Sequence, residues 1–221
     1  DFGCGCGRVA RQLLQQRARP RRYVGIDLHR GMIKWCNDNL APVAPGFEFR
    51  HHDVYNYSFN PDRSLPEVMP FGEDDDSFTL VNAYSVFTHL TQRRADFYLE
   101  EVRRILAPRG IVHSTWLLFD KREFAVLQAH HNALYVSDLD PSAAVLFDRE
   151  WVRERCRANG LVIYRAIPPA VRGYQWILLM ARVEAGVPEA ELPPDLAQKG
   201  TVVLPDMPAG ASSIGLEEAG A

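Results

Sequence analysis

The sequence predicts an α/β protein with a Rossmann-like, doubly wound sheet that is mostly parallel, and three observations support this. Short apolar runs alternate with amphipathic segments along most of the chain, as expected when crossover helices connect parallel strands. Two early runs, at 23–27 and 47–53, each end in an acidic residue. The last two runs, at 161–167 and 174–181, are joined by a link too short for a crossover helix, which predicts an antiparallel last strand.

The remaining elements follow from hydrophobic periodicity and from helix-ending residues. Residues 54–76 are rich in Pro, Asn and Asp and predict an irregular connection, and 120–146 predict an insertion that is helical in part. We expect helices near 9–16, 31–40, 92–106 and 150–158, and further strands at 78–83 and 111–118.

Composition predicts one domain followed by a tail. The chain has 221 residues and is 47% hydrophobic, enough for one sizeable core but not for two full domains. Beyond Val183 the sequence is rich in Pro, Gly, Ala and Glu and cannot bury enough surface to offset its ordering entropy. We therefore expect a domain at 1–183 with an insertion at about 120–147, and a flexible tail or linker at 184–221.

Net charge and cysteine spacing disfavour nucleic acid, membranes and metal ions as binding partners. The formal net charge is -3 with both signs mixed, which disfavours nucleic acid and anionic membranes as partners. No apolar run is long enough to span a bilayer, so a cytoplasmic protein is expected. The 4 cysteines lack Cys-x-x-Cys spacing and predict free thiols and no metal site.

The chain opens on Asp-Phe-Gly-Cys-Gly-Cys-Gly-Arg, a glycine-rich turn before a helix. Glycine lacks Cβ, so a ligand can approach this backbone closely. The spacing is Gly-x-Gly-x-Gly, whereas the dinucleotide fingerprint is Gly-x-Gly-x-x-Gly. The pattern therefore disfavours a nicotinamide cofactor.

This turn resembles the first motif of the class I S-adenosylmethionine-dependent methyltransferases, and four further stretches resemble later motifs in the same order. They are Tyr-Val-Gly-Ile-Asp at 23–27, His-Asp-Val at 52–54, Met-Pro-Phe followed by Asp-Ser-Phe-Thr-Leu-Val within 69–81, and Glu-Glu-Val-Arg-Arg-Ile-Leu-Ala-Pro-Arg-Gly at 100–110. The resemblance extends to about residue 182. It implies a seven-stranded sheet whose first strand is largely missing here, so we expect the chain to be a module of a larger polypeptide.

The resemblance also implies a site for S-adenosyl-L-methionine. Asp1, Gly3, Cys4 and Gly5 would border its methionine end, and Asp27 would accept the ribose hydroxyls. Leu28 and Met32 would flank the adenine, Asp53 and Val54 would read its edge, and Asn82 would lie near the sulfonium. Taken singly, Asp27 or Asp53 could instead cap a helix, and Met32 could be a core residue.

Two positions depart from the family pattern. Thr79 stands where the family frequently has Asp, and Arg109 replaces the first glycine of the usual Pro-Gly-Gly turn. A turn glycine with positive φ resists replacement. We therefore expect a changed turn at Arg109, without loss of activity.

His89, which follows the 78–83 strand, is the candidate general base, because an imidazole can take a proton near neutral pH. It could also simply cap or pack within its short helix. His130 and His131 are second candidates, although they lack a clear third metal ligand. We expect transfer of a methyl group, by O-methylation, to a small-molecule or glycan acceptor. A non-catalytic methyltransferase-like module and a nicotinamide oxidoreductase are the alternatives.

Overall fold

A computed structural model describes residues 1–124, 126–127, 130–170 and 174–192. Its helices are α1 (Arg8–Leu14), α2 (Arg30–Asn39), α3 (Gln92–Ile105) and α4 (Arg149–Ala158). Its strands are β1 (Tyr23–Asp27), β2 (Phe47–His51), β3 (Phe78–Ala83), β4 (Leu106–Phe119), β5 (Ala133–Tyr135), β6 (Val145–Asp148), β7 (Leu161–Ile167) and β8 (Trp176–Arg182).

The long strand β4 organises the larger sheet. It pairs in parallel with β3 and β6, and antiparallel with β8. Strand β7 then pairs antiparallel with β8, because their connection is too short to cross over. The expected fold, Rossmann-like and mixed with an antiparallel last strand, is confirmed.

Strands β1 and β2 form a separate parallel pair, and Phe2 connects this pair to β3. Phe2 forms a parallel bridge with Ile26, and its N–H donates to the Asn82 carbonyl at 2.8 Å. The residues that follow β1 and β3 therefore lie on either side of the glycine turn, at the sheet edge where ligands bind in such folds.

Helix α3 covers the sheet beside this turn. Its buried Tyr98, Leu99 and Val102 join Phe2 in the larger core cluster, and the Tyr98 and Phe2 rings lie 4.8 Å apart. The helix is thus held at a fixed distance from the turn.

One local expectation from the sequence is corrected. The expected turn at Arg109 is absent, because residues 107–110 continue strand β4 and form an irregularity opposite β3. Arg109 is exposed there and is easily accommodated, whereas a Cβ at Gly110 would lie 2.7 Å from Leu106 Cδ1. The insertion, expected to be partly helical, contains a 3-10 turn at Lys121–Glu123 and the β5–β6 hairpin among its described residues.

Most of the expected tail, residues 193–221, lies outside the described residues. Residues 184–192 are described and contact the domain, since Leu192 is buried in its core and the Ala190 N–H donates to the Ile163 carbonyl at 2.8 Å. Within the described part of the chain, no helix has the length and apolar character needed to cross a membrane.

Candidate active site

A cavity of about 240 Å³ opens at the carboxyl ends of β1, β2 and β3. Six of the residues singled out in the sequence line it: Gly3, Asp27, Leu28, Met32, Val54 and His89. These residues come from four separate segments, which the parallel strands bring to one edge of the sheet.

The glycine turn requires its glycines. Gly3, Gly5 and Gly7 all have positive φ, of 77°, 53° and 67°. A Cβ on Gly3 would also lie 2.5 Å from Val86 Cγ2, and one on Gly7 would lie 2.4 Å from Leu40 Cδ1. The turn therefore packs tightly against the elements around it while keeping Gly3 at the cavity wall.

The backbone N–H groups of Gly3, Cys4 and Gly7 in this turn donate to carbonyls of the protein itself. Gly3 and Cys4 donate to the Ile26 carbonyl at 2.9 and 3.1 Å, and Gly7 donates to the Cys4 carbonyl at 2.9 Å. A phosphate group needs free N–H donors. Among the described residues, none donates to the carbonyls of Phe2 and Gly3, so this wall of the cavity suits a cation such as an ammonium.

Asp27 fastens the turn to the β1–α2 connection. Its Oδ2 accepts the Gly5 N–H at 2.8 Å and its Oδ1 accepts the His29 N–H at 2.8 Å. An ionised carboxylate offers about four lone-pair sites. Asp27 can therefore organise the turn and still accept two hydroxyl groups from the cavity.

Asp1 and Asn82 lie together but do not line this cavity. The Asn82 Nδ2 donates to Asp1 Oδ1 at 2.6 Å, and the Tyr23 hydroxyl donates to Asp1 Oδ2 at 2.5 Å. His113 Nδ1 lies 2.7 Å from Asn82 Oδ1, and burial lowers the pKa of that imidazole. The structure therefore places Asp1 and Asn82 between β1 and β3, outside the cavity wall.

The other candidates around the turn are close to the cavity without lining it. Gly5 is held by Asp27, and Cys4 is buried, which raises the pKa of its thiol to about 12. The Asp53 carboxylate is 41% exposed and accepts from Asn60 Nδ2 at 3.0 Å.

His89 lies in a 3-10 turn after β3, and one of its ring nitrogens is held by the insertion. Its Nδ1 is 3.0 Å from the backbone carbonyl of Ser142. A carbonyl only accepts, so Nδ1 carries the proton in the neutral imidazole and Nε2 keeps its lone pair. Within the described residues, Nε2 forms no hydrogen bond and is available to a ligand.

A buried polar cluster fixes the part of the insertion that holds His89. Asp140 Oδ1 accepts from the Ser142 hydroxyl and Asp140 Oδ2 from the Ser58 hydroxyl, both at 2.6 Å, and Asn56 Nδ2 donates to Ser142 Oγ at 3.2 Å. Although burial opposes ionisation, the hydrogen bonds from Ser142 and Ser58 hold the pKa of Asp140 below its usual value. The cluster joins the segment after β2 to the insertion.

Tyr98 forms part of the cavity wall next to a buried histidine. Its hydroxyl lies 2.8 Å from His52 Nε2. Burial lowers the pKa of His52 to about 4 and raises that of Tyr98 to about 12. Both groups are therefore neutral near pH 7 and share one hydrogen bond.

Ser85 also lines the cavity and has an unusual backbone conformation, with φ of 58°. Its N–H donates to Thr115 Oγ1 at 2.7 Å, and its hydroxyl accepts from Gln175 Nε2 at 2.9 Å. A non-glycine residue in this region is uncommon and needs such support.

Seven further residues line the cavity but were not predicted from the sequence: Tyr55, Asn56, Phe59, Glu67, Ser85, Arg94 and Tyr98. The aromatic and polar residues directly after the His-Asp-Val motif were the available signal. Arg94 and Tyr98, four positions apart on α3, share a helix face and could have been found together.

Among the described residues, no group of three or more His, Cys, Asp or Glu side chains is arranged to hold a metal ion. The adjacent His130 and His131 rings lie 4.1 Å apart in the insertion, and neither lines the cavity. All four cysteines are free thiols, and Cys6 is the exposed one.

Comparison with known proteins gives a family and a fold. Residues 1–110 match the family model described as a methyltransferase domain. A TehB-like SAM-dependent methyltransferase from Corynebacterium glutamicum is 17% identical with a TM-score of 0.52, over 82% of this chain and 78% of that one. A SAM-dependent methyltransferase from Methanosarcina mazei is 16% identical with a TM-score of 0.54, over 82% and 90%.

The fold is also shared with an enzyme that is named for a different activity. The [4+2]-cyclase SpnF is 19% identical with a TM-score of 0.51 over 76% of this chain. This chain spans about half the length of SpnF, 51%. These likenesses to solved structures establish the fold, while the family rests on the domain match.

Proposed function

The chain belongs to the methyltransferase family whose domain model matches residues 1–110, and from this premise we propose that the protein methylates a hydroxyl group of a small-molecule or glycan acceptor. The observation that carries the proposal is the His89 imidazole, whose Nε2 forms no hydrogen bond with any described residue and which lines the same cavity as the motifs expected to bind the cofactor. The cofactor, S-adenosyl-L-methionine, supplies an electrophilic methyl group on its sulfonium.

The residues present fit this cofactor. Its ammonium matches the open carbonyls of Phe2 and Gly3, and its ribose diol matches the two unused acceptor sites of Asp27. Leu28, Met32 and Val54 would supply apolar surface for the adenine. Asp1, Cys4, Gly5, Asp53 and Asn82 would support these groups from behind, and Asp53 would reach the adenine edge.

The alternative of a nicotinamide dinucleotide is disfavoured by the same turn. A diphosphate needs free amides, and those of Gly3, Cys4, Gly5 and Gly7 already donate to protein acceptors. Because these amides are already occupied, the turn fits S-adenosyl-L-methionine better than it fits a nicotinamide dinucleotide.

His89 would act on the acceptor as a general base. Its protonated Nδ1 is held by the Ser142 carbonyl, so Nε2 could receive the proton of the acceptor hydroxyl. The cofactor would supply the methyl group and leave as a neutral thioether when its bond to that methyl group breaks. The protein otherwise contributes by holding the acceptor oxygen in line with the methyl group.

Two variants test the proposal. Asp27→Ala should weaken binding of S-adenosylhomocysteine at least tenfold in calorimetry, because two hydrogen bonds to a charged acceptor are lost. His89→Gln should leave that affinity within about twofold and lower kcat by about 10² or more. Unchanged affinity in the first variant would remove the ribose assignment. Tight cofactor binding by the wild-type protein, without transfer to any hydroxyl acceptor, would favour a non-catalytic module.

A further inference from the structure

Arg94 is a buried cation in the wall of the cavity. It lies in the first turn of α3, is 7% exposed, and lines the cavity with Tyr55 and Glu67. Neither the fold nor the cofactor motifs require an arginine at this place. Its position raises the question of what charge it faces when the cavity is filled.

The guanidinium has no hydrogen bond to any described residue, and its Nε is buried without a partner. Glu67 Oε2 lies 3.8 Å from Nε, beyond hydrogen-bonding distance, on a side chain that is 55% exposed. The Tyr55 ring lies 5.7 Å below the guanidinium carbon. Arg94 is therefore held by an aromatic face and by an ion pair with Glu67, but its donors form no hydrogen bond with any described residue.

A buried guanidinium without hydrogen bonds is costly. Arginine offers five N–H donors in a planar fork that matches a carboxylate. Removing such a charge from water costs several kcal/mol unless it is paired in hydrogen-bonding geometry, and the Glu67 carboxylate at 3.8 Å is too far away to provide that. A ligand carboxylate would satisfy the donors that the protein leaves open.

We propose that Arg94 binds a carboxylate of the methyl acceptor, so that the acceptor is a hydroxy acid. The proposal rests on the proposed methyltransferase function, since it names the substrate class of that site. No described hydrogen bond, ion pair or ring contact joins Arg94 to the glycine turn, where the carboxylate of the cofactor would lie. The segment after β2 contacts Arg94 instead, through Tyr55 and Glu67.

Matched pairs of probes test this assignment by calorimetry in the presence of S-adenosylhomocysteine. The pairs are 3,4-dihydroxybenzoate with its amide, and glucuronate with glucuronamide, which separate an aromatic from a sugar acid. In the wild-type protein we expect one of the acids to bind at least tenfold more tightly than its amide. The Arg94→Met variant should lose this preference and keep its affinity for S-adenosylhomocysteine within about twofold.

A second variant keeps the test informative if Arg94→Met folds poorly. Glu67→Gln removes the carboxylate that competes for the guanidinium, and should tighten binding of the preferred acid by about two- to fivefold. Equal binding of acid and amide, or no binding of either pair, would overturn the assignment. Weaker S-adenosylhomocysteine binding in Arg94→Met would assign Arg94 to the cofactor instead. Failure of S-adenosylhomocysteine to bind the wild-type protein would refute the proposed function separately.

Discussion

The two halves of the cavity are built in different ways. The half around the glycine turn is made by backbone, and its shape follows from positive φ angles within a few consecutive residues. The half around His89 is made by side chains from distant segments. His89 and Ser142 are separated by 53 positions, and Ser58 and Asp140 by 82.

This difference separates two requirements of one site. A cofactor used by a whole family can be held by a turn whose conformation is fixed by glycine spacing. An acceptor that differs among relatives needs side chains that can be exchanged without altering that turn. The hydrogen bonds of Asp140, Ser58 and Ser142 lie outside the turn and can vary independently of it.

The largest effect is expected where the backbone half is broken. Gly3→Ala places a methyl group in the left-handed region, which costs about 1–2 kcal/mol, and against Val86 Cγ2 at 2.5 Å. Overpacking adds about 1–3 kcal/mol. We expect urea unfolding to show a loss of about 3 kcal/mol, and calorimetry to show at least tenfold weaker S-adenosylhomocysteine binding.

Gly72→Ala is the matched control for this variant. Gly72 also has positive φ, 70°, but a Cβ there would meet nothing within 4 Å. It should cost about 1 kcal/mol and leave cofactor affinity unchanged. Equal losses in the two variants would show that the close approach to Val86 has no role.

The same difference explains how far the sequence could be interpreted. Gly3, Asp27 and Val54 belong to contiguous motifs, so their positions at the strand ends followed from local patterns. Ser142 and Asp140 lie in an insertion whose hairpin gives no strong periodicity, and their partners are known only when the chain is folded. The turn expected at Arg109 was wrong because an irregularity in β4 replaces it, and only the pairing with β3 reveals this.

The next largest effect on stability is expected from acidification, through protonation of the buried His52 next to the cavity wall. The pKa of His52 is about 4 in the folded protein and ordinarily 6.5. Between these values the unfolded chain binds more protons, so the free energy of unfolding falls as pH falls from 6.5 to 4. A shift of this size corresponds to about 3 kcal/mol in total.

His52→Gln isolates this contribution, because a glutamine amide can both donate to and accept from the Tyr98 hydroxyl but does not titrate. Urea unfolding at pH 7 and pH 4.5 should show a smaller loss of stability in the variant than in the wild-type protein. If both proteins lose the same free energy, the pH dependence comes from other groups, and His52 is not the titrating support.

The smallest effect is expected where the side-chain half is altered alone. Asp140→Asn replaces one acceptor oxygen by a donor that faces a serine hydroxyl, which costs about 1–2 kcal/mol in a buried cluster. The glycine turn makes no hydrogen bond with this cluster among the described residues, so S-adenosylhomocysteine affinity should stay within about twofold. Asp138→Asn, an exposed change in the same loop, is the control and should alter neither quantity. A parallel loss of stability and cofactor affinity in Asp140→Asn would show that the two halves are coupled, and that the insertion shapes the cofactor site as well as the acceptor site.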